Sequence, residues 1–180
     1  VSSLVKLQRG ASKDDNVRSA LDEVSQRLRT VSLVHEELNI TSKADEVELS
    51  RYLERLAGLL RANAAGNVRI DVAAEELNID SRRASAVGMI VSEFVSNSLK
   101  HAFPDDRSGA IRISLSRLSD GRAQLLCEDD GIGAPPVQPG VRRGLGLRIM
   151  EASVSQIGGA SDAGAGGEGF GFRVVFPLGA

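Results

Sequence analysis

Apolar positions follow a helical period over the first forty residues and a mixed one thereafter. From about Asp14 to Leu38 they fall at Val17, Leu21, Val24, Leu28, Val31, Val34 and Leu38, close to a heptad stripe with charges on the other faces. A shorter amphipathic segment, Val1 to about Gln8, precedes it and ends near Gly10. Arg9–Asp15 supplies the break, with Asp14 or Asp15 as the N-cap. Two helices with so short a link predict an αα-hairpin. So long a stripe would be exposed on a lone hairpin, so the pattern predicts a partner, most simply a second copy completing a four-helix bundle.

Asn39-Ile40-Thr41-Ser42 punctuates the chain and a different regime begins. Glu46–Ala65 is predicted as a helix closed by Gly66-Asn67, and Val68–Val72 alternates as a strand. Ser81–Ala102 reads as a long helix capped by Asp80 or Ser81. Ile111, Ile113 and Leu115 alternate as a strand, Asp120-Gly121 signals a hairpin turn, and Gln124–Glu128 returns. Pro135-Pro136 and Gly140 mark a loop. Leu145–Ile157 is helical and ended by Gly158-Gly159, the glycine-rich run at 164–167 is a loose hairpin, and Phe170–Phe176 is a last strand. The expected class is α+β: a two-layer sandwich with helices on one face of a mixed, mostly antiparallel sheet. The expected division is a helical hairpin over 1–42 and a second domain over 43–180.

Composition narrows the chemistry. The 180 residues carry 22 basic and 24 acidic side chains, a net charge of −2, which gives no broad electrostatic footprint for nucleic acid or an anionic membrane. Five Phe, one Tyr and no Trp leave little to stack bases, so no nucleic-acid partner is expected. The single cysteine, Cys127, fits a reducing cytoplasm, and its apolar run Leu125-Leu126-Cys127 reads as an inert buried thiol. No stretch is long enough to span a bilayer, and no membrane contact is expected. The chain opens at Val1 without methionine and reads as part of something longer.

Three segments carry candidate chemistry. In Glu93-Phe94-Val95-Ser96-Asn97-Ser98-Leu99-Lys100-His101-Ala102, Glu93 and Asn97 lie one helical turn apart on one face, with Lys100 or His101 a turn further. An amide oxygen can ligate Mg²⁺ without cancelling its charge, a carboxylate can take a proton, and a cation can meet phosphate. Asp129-Asp130-Gly131-Ile132-Gly133 follows a strand and allows a tight turn with close backbone approach to a ligand. Gly144-Leu145-Gly146-Leu147 opens a helix whose bare N–H groups suit phosphate oxygens. Taken singly, each has a plainer reading: a solvated helix face, an Asp-Gly turn, an ordinary helix entry.

Their order and spacing, followed by Gly169-Phe170-Gly171-Phe172, resemble the ATP-binding domain of sensor histidine kinases and their relatives gyrase, the Hsp90 chaperones and MutL. The resemblance runs from about Glu46 to Pro177 and implies a Bergerat-type fold. Glu93–Ala102 is similar to the N box, Asp129–Gly133 to the G1 box and Gly144–Leu147 to the G2 box. Ser2–Gln8 and Arg27–Leu38 resemble the dimerisation hairpin of one subfamily, in which the second helix ends in Val-His-Glu. In that subfamily the phosphoacceptor lies in a His-Arg-x-Lys-Asn type motif, which here would fall about two or three helical turns before Val1. His35, followed by Glu36, is the rival acceptor. The helix has barely a turn left after it, which favours a hairpin role for it.

The resemblance implies roles residue by residue. Asn97 would ligate Mg²⁺, and Glu93 would act as general base or orient the attacking histidine. Lys100 and His101 would contact phosphate. Asp129 would accept from the adenine amino group, and guanine would leave that carboxylate unpaired. Gly131 and Gly133 would let the backbone pass the nucleotide. Gly144 and Gly146, with Leu145 and Leu147, would hold the β/γ phosphates under a lid over Ala134–Arg143, where Arg142 and Arg143 are either phosphate contacts or solvated charge. Phe170 departs from the family's usual Thr, and the lid is short and lacks an aromatic-bearing box. The implied activity is ATP- and Mg²⁺-dependent phosphorylation of a histidine, in a cytoplasmic homodimer joined through the hairpin. The phosphoryl group would pass on to a response-regulator receiver domain. The alternatives are an anti-sigma-type serine kinase on the same fold and a degenerate, non-catalytic docking module.

Overall fold

The computed structural model describes residues 46–62, 64, 67–133, 145–164 and 169–178, with Leu21, Val24, Ser25, Leu28, Thr30 and Ser32 before them. Those N-terminal positions are helical, as the stripe predicts. The helix expected over Val1–Gln8, the Asp14 or Asp15 cap, His35, Gly66, the proline loop with Gly140, and the glycine hairpin beyond Gly164 lie outside the described residues.

The described chain runs β1 (Glu46–Glu48), α1 (Leu49–Arg61), β2 (Val68–Ala74), β3 (Asn78–Asp80) and α2 (Ser81–His101). It continues with β4 (Gly109–Arg117), β5 (Arg122–Asp129), α3 (Leu145–Gln156), β6 (Ala160–Gly164) and β7 (Phe170–Pro177). Five strands form one sheet in the order β2-β4-β5-β7-β6. Only the β2–β4 pair is parallel, with Ile70 opposite Ile111; the other pairs are antiparallel. The β4–β5 hairpin turns at Gly121, whose φ of 84° suits a residue without a Cβ. Beside it, hydrogen bonds from Arg122 hold the Asp120 carboxyl below the usual carboxylate range.

Alternation along the central strands separates the two faces. Ile111, Ile113, Leu115, Leu125, Cys127, Val174 and Phe176 are buried, while Arg112 and Arg173 on the opposite parity are exposed. The helices cover the buried face. Tyr52, Leu53 and Leu56 of α1, Val87, Ile90, Val91 and Phe94 of α2, and Met150 and Val154 of α3 complete one core. The result is the predicted two-layer α+β sandwich.

Two predicted features change. Glu46–Glu48 is a strand, not the first helical turn: Val47 pairs with Ile79 in a small β1–β3 ladder. Glu48, extended at φ −80° and ψ 110°, caps α1 by accepting from the N–H groups of Ser50 (2.8 Å) and Arg51 (3.1 Å). Val47 and Leu49, two residues apart, alternate instead of sharing a helical face, but a three-residue strand running directly into the stripe of α1 is too short for that period to stand out. In addition, β3 and β6 had no counterpart in the pattern. All of β6 (Ala-Ser-Asp-Ala-Gly) is exposed and held as an edge by β7 alone.

Asp80 caps α2 through the Arg83 N–H at 2.9 Å. Behind α2 sits the N-terminal helix. Thr30, 1% exposed, places its hydroxyl 2.9 Å from that of Ser92, and Tyr52 donates to the Thr30 carbonyl at 3.4 Å. Burial pushes the Tyr52 hydroxyl pKa well up. A Cβ on Gly88 would overlap the Tyr52 hydroxyl and lie 2.9 Å from Thr30 Cγ2, so this crossing requires glycine.

Candidate functional site

The site face of α2 carries Glu93 and Asn97 one turn apart. Glu93 is buried, Asn97 half-buried, and Lys100 and His101 are exposed at the helix end. Core packing fixes the rotation of α2, because Ile90, Val91, Phe94 and Val95 face the sheet and the other helices. The entry of α3 lies against this face. A Cβ on Gly146 would sit 2.9 Å from Glu93 Oε2, 3.3 Å from Asn97 Nδ2 and 3.4 Å from Asn97 Oδ1. The first and third candidate motifs therefore meet, about 50 residues apart in sequence. Among the described residues the Asn97 amide has no hydrogen-bond partner, which leaves its oxygen open to a ligand.

The second motif closes the other end. Asp129 ends β5 on the buried parity, after Leu125 and Cys127, and is 6% exposed. Its Oδ1 accepts from the N–H groups of Gly131 (3.1 Å) and Phe170 (3.3 Å), and its Oδ2 from the Ser98 hydroxyl at 2.8 Å. Asp130 takes the opposite parity: Oδ1 accepts from Ala110 N–H at 2.7 Å and Arg112 lies 3.9 Å from Oδ2, a structural role. Gly131 packs so tightly on Ala102 that a Cβ would run into it, while Ile132 N–H donates to the Ala102 carbonyl at 3.0 Å. Gly133 has φ 76°. A Cβ on Gly169 would overlap the Asp129 carbonyl. Phe170, in the position where the resemblance leads one to expect Thr, stacks on Phe94 with centroids 6.2 Å apart and 15° between planes.

Leu145 stands 57% exposed at the start of α3, and Leu147 is half-buried. Gly144, Arg142, Arg143 and the lid segment lie outside the described residues. Sequence reasoning missed Ser98 and Gly169 as partners of Asp129. The signal available was a serine on the buried side of a long helix, directly after Asn97. Burial, with Glu128 adding to it, pushes the Cys127 thiol up to about 12, as suits an inert core thiol away from this cleft.

Comparison with known proteins shows the family and the fold. The family model described as histidine kinase-, DNA gyrase B-, and HSP90-like ATPase matches residues 83–180, and one described as histidine kinase matches residues 1–64. Blue-light-activated histidine kinase 2 of Erythrobacter litoralis is 29% identical over 99% of this chain and 53% of its own length. Sensor histidine kinase PdtaS of Mycobacterium tuberculosis is 30% identical over 86% of this chain and 31% of its own. The chain thus spans about half or less of the curated relatives it matches. The solved histidine kinase domain of the Erythrobacter litoralis EL346 blue-light activated kinase superposes with a TM-score of 0.80 at 26% identity, covering 98% of this chain and 94% of that one. Among the described residues no helix is long and apolar enough to cross a membrane.

Proposed function

We propose, from the premise that this chain belongs to the sensor histidine kinases and carries their histidine kinase-, DNA gyrase B- and HSP90-like ATPase domain, that it binds ATP with Mg²⁺ and transfers the γ-phosphoryl group to a histidine. The observation that carries the reading is the seat of Gly146 against Glu93 and Asn97. It brings a helix N-terminus, a carboxylate and an open amide oxygen to one place. These residues fit the group. Mg²⁺ keeps several waters and phosphate oxygens, so one protein amide suffices, and when bound it would neutralise phosphate charge. Asn97 would hold it, and Glu93 would orient the acceptor or take its proton. Lys100 and His101 would meet phosphate, as would Gly144, Gly146 and the flanking Leu145 and Leu147. At the base end Asp129 would accept from the adenine amino group beside backbone kept bare by Gly133; the missing side chain of Gly131, expected to serve the nucleotide as well, instead seats the turn on Ala102. Catalysis would rest on positioning and charge neutralisation, without a covalent intermediate in this domain.

The division into a hairpin over 1–42 and an ATP-binding domain over 43–180 belongs to the same reading. So do pairing with a second copy through the hairpin and passage of phosphate to a response-regulator receiver domain. Exposure of Val24, 43%, and the half-burial of Leu21 and Leu28 support a partner for that stripe. The histidine kinase match over residues 1–64 favours histidine over serine as acceptor, and acid lability of the phosphorylated product would decide between them.

Titration with a non-hydrolysable ATP analogue and Mg²⁺ tests the site. Asp129→Asn is expected to weaken binding by about ten- to a hundredfold, the worth of a hydrogen bond to a charged group. Unchanged affinity in that variant would remove Asp129 from the base pocket. Absence of binding by the folded wild-type protein would end the kinase reading.

A further inference from the structure

Among the described helical serines, three bond back to their own helix, while Ser92 and Ser98 of α2 reach out of it. Ser32, Ser85 and Ser155 turn back to the carbonyl four residues earlier, at 2.9, 2.9 and 3.0 Å, the usual resort of a helical serine. Ser98 does not. Its hydroxyl, 4% exposed, leaves α2 and reaches Asp129 Oδ2 at 2.8 Å, across 31 residues of sequence.

That bond has a particular consequence for Asp129. Two N–H groups, from Gly131 and Phe170, both hold Oδ1. At 3.1 and 3.3 Å they restrain the carboxylate plane loosely against the broad terminal torsion of an aspartate, whereas the Ser98 bond is the shorter one at 2.8 Å. The Ser98 hydroxyl pins the second oxygen and so fixes where its remaining lone pair points.

We infer that Ser98 is a positioning residue for base selection, holding Asp129 Oδ2 so that its open lone pair meets the 6-amino group of adenine. The inference rests on the proposed role of Asp129. It adds that the base end of the cleft is set from the same helix, one residue on from the amide at the phosphate end.

The test pairs two ligands with two proteins. A non-hydrolysable ATP analogue and purine riboside 5′-triphosphate, which lacks the 6-amino group, are titrated with Mg²⁺ into wild type and Ser98→Ala, with melting followed alongside. Ser98→Ala is expected to lose about tenfold in affinity for the ATP analogue. It should lose almost nothing for the deaminated nucleotide, so that discrimination between the two collapses. Ser98→Cys, which keeps a donor in place but a weaker one on a slightly larger atom, should show the same selective loss to a smaller degree, and it carries the test if the alanine variant fails to fold. Equal losses for both nucleotides, or none, would overturn the inference while leaving the ATP site standing. A wild-type protein that binds both nucleotides alike would instead overturn the role of Asp129, and this inference with it.

Discussion

Gly146→Ala should separate stability from function. The substituted position is the second residue of α3, where alanine in place of glycine removes chain entropy from the unfolded state and favours the helix by up to about 1 kcal/mol. The new methyl has no backbone to strike. Its nearest neighbours are the ends of two side chains, Glu93 Oε2 at 2.9 Å and the Asn97 amide at 3.3 and 3.4 Å. Relief to an ordinary contact near 3.4 Å moves Glu93 by roughly 0.5 Å. A displacement of about 1 Å at a reacting centre costs about a hundredfold, so half of that costs about tenfold. The variant is therefore expected to melt at the wild-type temperature or up to about 4 °C above it. Phosphoryl transfer to an acceptor histidine at saturating ATP and Mg²⁺ should be slowed by about tenfold. A wild-type transfer rate in a well-folded Gly146→Ala protein would refute the reasoning, because the methyl can be housed only at the expense of the Glu93 carboxylate and the Asn97 amide.

Two further expectations follow from neighbouring chemistry. Gly169→Ala sets a methyl against the Asp129 carbonyl, backbone against backbone, and should destabilise by about 3 kcal/mol or more in urea denaturation; an unchanged midpoint would disprove the close approach. The Cys127 thiol, raised from 9.0 to about 12 in the fold, stays neutral where the unfolded chain ionises. Its contribution is thus fully present below pH 9 and is lost at about 1.4 kcal/mol per pH unit between pH 9 and 12. Cys127→Ala should flatten that alkaline slope, and the native thiol should resist alkylating reagents at pH 8 until the protein unfolds.

The parts of the fold legible in the sequence are those where several local signals coincide. The long helix α2 has an Asp80 cap, an apolar stripe and no breaker, and its bounds agree with the pattern to within one residue. The β4–β5 hairpin has alternation on both sides of Asp120-Gly121. By contrast β6 buries nothing, so no hydrophobic period marks it, and only the backbone of β7 makes it a strand. The ladder of Val47 with Ile79 joins three-residue segments too short to carry a period. In the site, glycine spacing marked where backbone or ligand must come close, and strand parity separates Asp129 from Asp130. The reach of Ser98 to Asp129 joins residues 31 apart through the packing of α2 on β5, and local sequence holds no record of such a contact.

The helix that presents Glu93, Asn97 and Ser98 is also the one most enclosed by the rest of the molecule, with 11 of its 21 residues buried. No small excursion can release those groups while the body stays intact, so their amide protons should exchange only when the whole domain opens. Nucleotide at a hundred times its dissociation constant would then slow that exchange by about a hundredfold, uniformly along Ala84–Ser98. Occupancy would be written into the slowest protons of the molecule, at the Ala84 end of the helix as fully as beside Asn97.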